Sequence, residues 1–208
     1  MVNGSVVIQN DRFVISPQLL DVISNEYFKH YLLDTLKYAI DKFDSTYSQD
    51  KYYDGFSLYH KYSRKDVCRI MNWEKDESST MYGYRIKYNT CPIFVTYEKL
   101  DGINTSTKYN DHFLNRRQFS WMTRNRVTLD SSEVLKIRKY KEAGLRIPLF
   151  VKKSDGEGTD FYYMGDMEPY DFEQDIIKND AGIELPIVNI KFIMRVPVDD
   201  NMFSYLEN

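Results

Sequence analysis

The sequence predicts an α+β fold in which a β-rich, curved, barrel-like sheet follows an N-terminal helical segment. Three observations predict it. Apolar residues between positions 17 and 43 recur at helical spacing. Six later segments are short, rich in β-branched and aromatic residues, and separated by Gly, Asn, Asp and Ser. One further helix interrupts those segments, an arrangement that suits a partly closed barrel better than a parallel α/β sheet.

In the first part, Leu19, Leu20, Val22, Ile23, Tyr27, Phe28, Tyr31, Leu32, Leu36, Ile40 and Phe43 fall on a helical repeat. Ser16 before Pro17 is a good start, since a hydroxyl caps the first turn and proline at the next position loses no hydrogen bond. The pattern reads as two helices, or as one broken near Ser24. The polar stretch 44–55 reads as a linker, which puts a boundary near residue 50: a helical connector at 1–50 and a β-rich recognition domain at 51–208.

Ser63 and Asp66 have the spacing of a capping box before Val67, Cys68, Ile70 and Met71, so a short helix is expected up to Asn72. Strands are expected at 84–88, 91–97, 119–123, 147–152, 161–167 and 187–196. The interrupting helix starts at Asp130 or Ser131, buries Val134, Leu135, Ile137 and Tyr140, and stops at Gly144; its other face carries Lys136, Arg138, Lys139 and Lys141.

Composition narrows the function. The 208 residues are 15% aromatic, enough for a packed core, and no segment has the length and apolarity of a membrane span. The start of the chain lacks the basic and apolar pattern of a secretory leader, and two cysteines are too few for a disulfide framework, so a soluble cytoplasmic protein is expected. Net charge is only −3, but it is unevenly spread: residues 116–153 hold eleven Lys and Arg against three Asp and Glu. A basic middle between acidic flanks is what a chain needs when one face meets phosphates.

The motifs of catalysis are missing. No GxxxxGK loop cradles a phosphate, no Gly-x-Ser-x-Gly turn presents a nucleophile, and Cys68, Cys91, His30, His60 and His112 are scattered without zinc-ligand spacing. No cofactor, metal or catalytic residue is expected. Asp155, Glu157, Asp160, Asp166 and Glu168 offer carboxylates to a metal-dependent nuclease, yet such runs are more often solvated turns.

The richest cluster runs from Ser106 through Lys108, Tyr109, Asp111 and His112 to Arg116, Arg117, Phe119, Ser120, Trp121, Arg124 and Arg126. Arginines hold phosphates or read guanine edges, and aromatic faces stack on a base outside the helix, so this interleaving suits DNA recognition.

The segments YSRKDV at 62–67, MNWE at 71–74, TCPIFVTY at 90–97, STKY at 106–109, FSW at 119–121, RIPLFVKK at 146–153 and EGTDFYY at 157–163 together resemble a known family. It is the uncharacterised C-terminal domain that follows many bacterial DEAD/DEAH-type helicases, as in the SauUSI-like type IV restriction endonucleases, and the likeness spans about residues 56 to 196. Those enzymes join a phospholipase-D-type nuclease, a helicase and this domain, and cut DNA with methylated or hydroxymethylated cytosine. The chain has neither the nuclease's His-x-Lys motifs nor helicase motifs, so the resemblance implies target recognition alone, with helicase and nuclease domains as partners and no membrane. It also implies a fold similar to the SET-and-RING-associated (PUA-like) modified-base readers, which flip the base into a pocket. On that basis Trp121, Tyr97, Tyr109, Asp111, Phe119, Ser120 and Asp160 are candidates for a base pocket. Lys108, Arg116, Arg117, Arg124, Arg126, Lys152 and Lys153 are candidates for phosphates or flanking bases. A module that docks on a helicase and binds DNA only nonspecifically is the second reading.

Overall fold

The computed structural model describes residues 6–9, 12–46, 51–97, 111–179 and 181–207. The chain divides into two units, residues 1–50 and 51–208. Tyr109 and Lys108 lie outside the described residues.

The first unit opens with a β-hairpin, β1 (Val6–Gln9) against β2 (Arg12–Ile15), followed by α1 (Pro17–Ile23) and α2 (Glu26–Thr46). The Ser16 hydroxyl accepts from Leu19 N at 3.2 Å and so starts α1. The break at Ser24 has a local cause: Asn25 Oδ1 accepts from Phe28 N at 3.1 Å, which gives α2 its own cap. Within the first unit the apolar stripe of α2 stays largely open, with Tyr27 81% and Tyr31 69% exposed. Among the described residues no helix is long and apolar enough to cross a membrane.

In the second unit, part of the stretch expected to be linker is a hairpin: β3 (Tyr52–Tyr53) pairs with β4 (Phe56–Ser57) through Asp54 and Gly55. Both turn residues have positive φ, 43° and 95°, the geometry for which Asp-Gly is suited. Then come β5 (Lys61–Tyr62) and α3 (Arg64–Ile70), whose capping box is complete: Asp66 N donates to Ser63 Oγ at 3.1 Å and Ser63 N to Asp66 Oδ2 at 3.2 Å. Replacing Ser63 by Ala is expected to cost about 1 kcal/mol, read as a small drop in thermal midpoint.

The main sheet comprises β6 (Ile93–Thr96), β7 (His112–Asn115), β8 (Gln118–Met122), β9 (Pro148–Lys152), β10 (Phe161–Lys178) and β11 (Glu184–Met194), with α4 (Ser132–Arg138) between β8 and β9 and α5 (Asp200–Glu207) at the end. Its order is β6-β9-β10-β11-β8-β7, with β5 paired to the start of β10; β6 and β9 run parallel and the other pairs antiparallel.

The long β10 lets the sheet curl, because it pairs with β9 along its first part and with β11 along the rest. Register shifts fall between Tyr163 and Gly165 and between Pro169 and Asp171, and such bulges bend and twist a strand. Gly165 sits in the bend at φ +113°, a backbone conformation that favours glycine, while a Cβ there would make only ordinary contacts, 3.4 Å from Leu58 and 3.6 Å from Met194. The curl brings the edge strands β6 and β7 together through side chains: Phe113 N donates to Tyr97 Oη at 3.1 Å, and the two rings stack at 6.3 Å. The result is the curled half-barrel of an α+β domain.

Its interior is filled by Phe113, Phe119, Trp121, Leu149, Val151, Val188, Ile190 and Phe192. A second cluster, Phe56, Val67, Cys68, Phe94, Phe150, Phe161 and Tyr163, packs α3 on the outer face. β9 is therefore buried on both sides, which accounts for its unbroken apolar run. Residues 84–88, expected as a strand, make only isolated bridges, Tyr84 with Ile93 and Lys87 with Thr90.

Candidate nucleic-acid interface

A cavity of about 820 Å³ opens between β6 on one side of the half-barrel and β8 on the other. Such a volume lies within the range of small-molecule sites. Phe94, Val95 and Thr96 line it from β6, Trp121 and Met122 from β8, Ser132, Glu133 and Lys136 from α4, and Tyr82, Tyr84 and Arg85 from the segment before β6. Asp111, Arg124 and Arg64 complete the wall.

Several polar groups are held at fixed positions. Asp111 Oδ1 accepts from Met122 N at 2.9 Å, which ties the carboxylate to β8. Tyr84 Oη donates to Glu133 Oε1 at 2.7 Å, the other oxygen of Glu133 takes the Arg124 guanidinium, and that cation lies 5.4 Å from the Tyr84 ring centre. Burial, then the Glu133 carboxylate, push the Tyr84 hydroxyl well above its ordinary pKa, so it stays a neutral donor. Tyr84 stands edge-on to Trp121 at 4.7 Å. At the rim Tyr82 is 83% exposed, which is unusual for so large a ring.

Of the residues singled out from the sequence, Asp111, Trp121 and Arg124 meet at this cavity. The others go elsewhere. Phe119 is fully buried and Trp121 is 2% exposed, because alternate residues of β8 point into the half-barrel; Phe119 belongs to the core, and Trp121 is a core residue that also backs the cavity wall. Ser120 lies on the opposite face of β8, in register with His112 and Lys191. Tyr97 is turned away too: its hydroxyl bonds Glu207 and takes Phe113 N, and burial followed by Glu207 raises its pKa.

Arg116 is engaged by the C-terminal segment, with Nε donating to Val198 O at 2.6 Å and a guanidinium nitrogen 2.6 Å from Asp200. Lys152 is 8% exposed; it donates to Gly158 O at 3.1 Å and pairs with Asp155 at 2.8 Å, so it braces a loop and does not face solvent phosphates. Lys153 lies over the Tyr205 ring, and Asp160 accepts from Thr159 at 3.1 Å, outside the cavity. Arg117 and Arg126 are exposed, Arg126 with φ +66° in the turn before α4.

The acidic run also resolves differently. Asp166 is 7% exposed and forms a two-toothed pair with Arg146, at 2.9 and 3.2 Å, while Tyr163 Oη donates to it at 2.8 Å. Glu168 takes Tyr140 Oη at 2.6 Å. Among the described residues no group of three His, Cys, Asp or Glu is arranged to hold a metal ion.

Sequence reasoning missed Arg64, Tyr82, Tyr84 and Phe94. The aromatic residues flanking Gly83 were the available signal for two of them, but Tyr84 reads as the start of an ordinary strand at 84–88 and Tyr82 falls just before it.

No curated protein sequence is significantly similar. Among solved structures, the chain is similar to the "DNA modification-dependent restriction endonuclease AspBHI", at 12% identity and a TM-score of 0.50, covering 72% of this chain and 80% of that one. This likeness is one of fold. Weaker similarities are to the "MspJI Restriction Endonuclease in Complex with 27-mer Oligonucleotide" (12% identity, TM-score 0.38, covering 55% of this chain and 32% of that one) and to "Sulfur binding domain and SRA domain of ScoMcrA complexed with phosphorothioated DNA" (8%, 0.40, 72% and 44%). Residues 56–206, which span the half-barrel, α3 and most of α5, match one family throughout, and the chain belongs to the family described as Domain of unknown function (DUF3427).

Proposed function

We propose that the half-barrel domain recognises modified cytosine, 5-methylcytosine or 5-hydroxymethylcytosine, in duplex DNA, by drawing the base into the cavity between β6 and β8. In this reading it is the target-recognition part of an ATP-dependent type IV restriction endonuclease and does not itself cut. The observation that carries the reading is the composition of the cavity: a fixed carboxylate, aromatic walls and a cationic rim in one recess. The fold likeness to a modification-dependent restriction endonuclease supports it.

Each part has a role. Asp111, whose Oδ1 already accepts from Met122 N, accepts the exocyclic amine of cytosine, since a carboxylate takes several hydrogen bonds. Tyr82 at the rim supplies a face for stacking, and the buried Tyr84 backs the wall behind it. Arg117, Arg126 and Lys136, all exposed, supply phosphate contacts.

The energetics are consistent. Unstacking a base costs a few kcal/mol, and stacking on aromatic rings returns about 1–3 kcal/mol per base. A buried methyl contributes about 0.8 kcal/mol, while a tenfold preference needs about 1.4 kcal/mol. Discrimination over plain cytosine is therefore modest, and phosphate contacts supply the remaining affinity.

The test is a binding titration with matched duplexes carrying cytosine, methylcytosine or hydroxymethylcytosine at two salt concentrations. Wild type should prefer a modified duplex and weaken as salt rises. Asp111→Asn keeps the shape and the acceptor for Met122 but presents an amide donor; it should lose roughly tenfold or more, since hydrogen bonds to charged groups contribute about 1.5–3 kcal/mol. Equal binding of all three duplexes by wild type contradicts the reading. The exposed apolar stripe of α2 favours a second reading, a docking module of a helicase with only nonspecific DNA affinity, which predicts equal, salt-sensitive binding of all three duplexes.

A further inference from the structure

Arg64 is the first residue of α3 and lines the cavity. Its guanidinium carbon lies 5.3 Å from the centre of the Phe94 ring and 4.8 Å from that of Phe161. Its Nε is buried, and it has no hydrogen-bond partner. Among the described residues no carboxylate reaches ion-pairing distance of Arg64: the acid it feels, Asp155, already holds Lys152 at 2.8 Å. Burial accordingly pulls its pKa below the ordinary arginine value.

The other arginines of the cavity differ in this respect. Arg85 is held by Glu77 at 2.8 Å and donates to Thr80 at 2.8 Å, and Arg124 is held by Glu133. Arg64 as a whole is half-buried, but a buried N–H without an acceptor is costly, and a bound anion is one group that completes it.

We propose that Arg64 is the anion-binding point of the cavity and takes an oxyanion carried by the nucleotide that enters it, either the nucleotide's phosphate or a carboxylate on the C5 substituent of its base. The proposal rests on the base-reading function above and deepens it. A guanidinium presents a planar fork that meets phosphate or carboxylate with two parallel hydrogen bonds, and the two aromatic rings limit how that plane can turn. A compact ammonium cannot reproduce this geometry.

The experiment has two readouts. The first is binding of duplexes carrying cytosine, methylcytosine or carboxylcytosine by wild type, Arg64→Gln and Arg64→Lys. If the oxyanion is a phosphate, Arg64→Gln weakens the preferred duplex about tenfold or more and lowers the salt slope by about one contact. If it is a base carboxylate, wild type prefers carboxylcytosine over methylcytosine, and Arg64→Gln removes that preference alone. Arg64→Lys keeps the charge and the stem, so it guards against loss of fold, and it should recover only part of the affinity. Variants that bind every duplex as wild type does overturn the proposal.

The second readout does not depend on DNA: the ¹⁵N resonance of the Arg64 side chain is followed while inorganic phosphate is added to wild type. A selective, saturable shift supports the anion site even if no duplex is preferred, in which case only the base-reading function fails. No shift, or unchanged duplex binding by the variants, overturns the proposal.

Discussion

Asp166→Ala is expected to destabilise the domain by about 3–5 kcal/mol, because it leaves a buried arginine without its counter-charge. Arg146 is 19% exposed at its side chain and makes four kinds of contact: the paired bonds to Asp166, a donation to Asp54 O at 2.8 Å, one to Tyr53 O at 3.3 Å and one to Tyr163 Oη at 3.4 Å. These join the β3–β4 hairpin to the bend of β10 next to Gly165, so the pair holds the place where the sheet curls. Domain stabilities run at about 5–15 kcal/mol, and the thermal midpoint should fall on the order of 10 °C. Replacing both partners, Arg146→Met with Asp166→Leu, should recover part of the loss, because no unpaired charge then remains buried. A midpoint within a degree or two of wild type for Asp166→Ala would show that the network does not hold the curl.

Trp121→Ala is expected to cost a similar amount, about 3–5 kcal/mol, since it removes a large core side chain and leaves a cavity. The ring lies between Tyr84 at 4.7 Å and Phe192 at 6.1 Å, both edge-on. Loss of DNA binding in that variant would therefore report loss of fold as much as loss of a pocket wall. Trp121→Phe separates the two: it keeps an aromatic ring in the core and should retain most of the stability, as measured by denaturant unfolding. A Trp121→Ala protein as stable as wild type would place the ring outside the core.

The sequence made some of the architecture legible and hid other parts for definite physical reasons. The capping box at Ser63 and the broken helix at Ser24 were readable because caps act within three or four residues; the start of α4 at Ser131 was readable too, although its hydroxyl accepts from Thr128 N and does not cap the helix. The hairpin at Asp54-Gly55 was hidden inside a polar stretch, although that dipeptide is itself a hairpin signal. The length of β10 was hidden because its second part, from Glu168 to Lys178, is at most half-buried, and its apolar residues Tyr170, Phe172, Ile176 and Ile177 are broken up by charged and polar ones.

For the site, types of residue were legible but partners were not. The interleaved arginines and aromatics of 111–126 do contribute Asp111, Trp121 and Arg124 to the cavity. Lys152 looked like a free strand-end cation, yet the loop after β9 folds back and supplies it with Gly158 and Asp155. Nothing in the sequence singles out Arg64, and only the packing of Phe94 and Phe161 places it in the cavity wall. The contacts of Arg64 join residues far apart in the chain, which no local pattern encodes, and those of Lys152 depend on how the following loop folds back.

The central claim is that the cavity, and not a flat basic surface, distinguishes modified from plain cytosine. Ser132 lines the cavity but is exposed at the start of α4, so Ser132→Trp should obstruct the recess without disturbing the core. The direct measurement is the ratio of affinities for methylcytosine and cytosine duplexes in wild type and in Ser132→Trp. The account predicts that the ratio falls to about one while salt-sensitive binding to both duplexes persists; an unchanged ratio in a folded Ser132→Trp protein would contradict it.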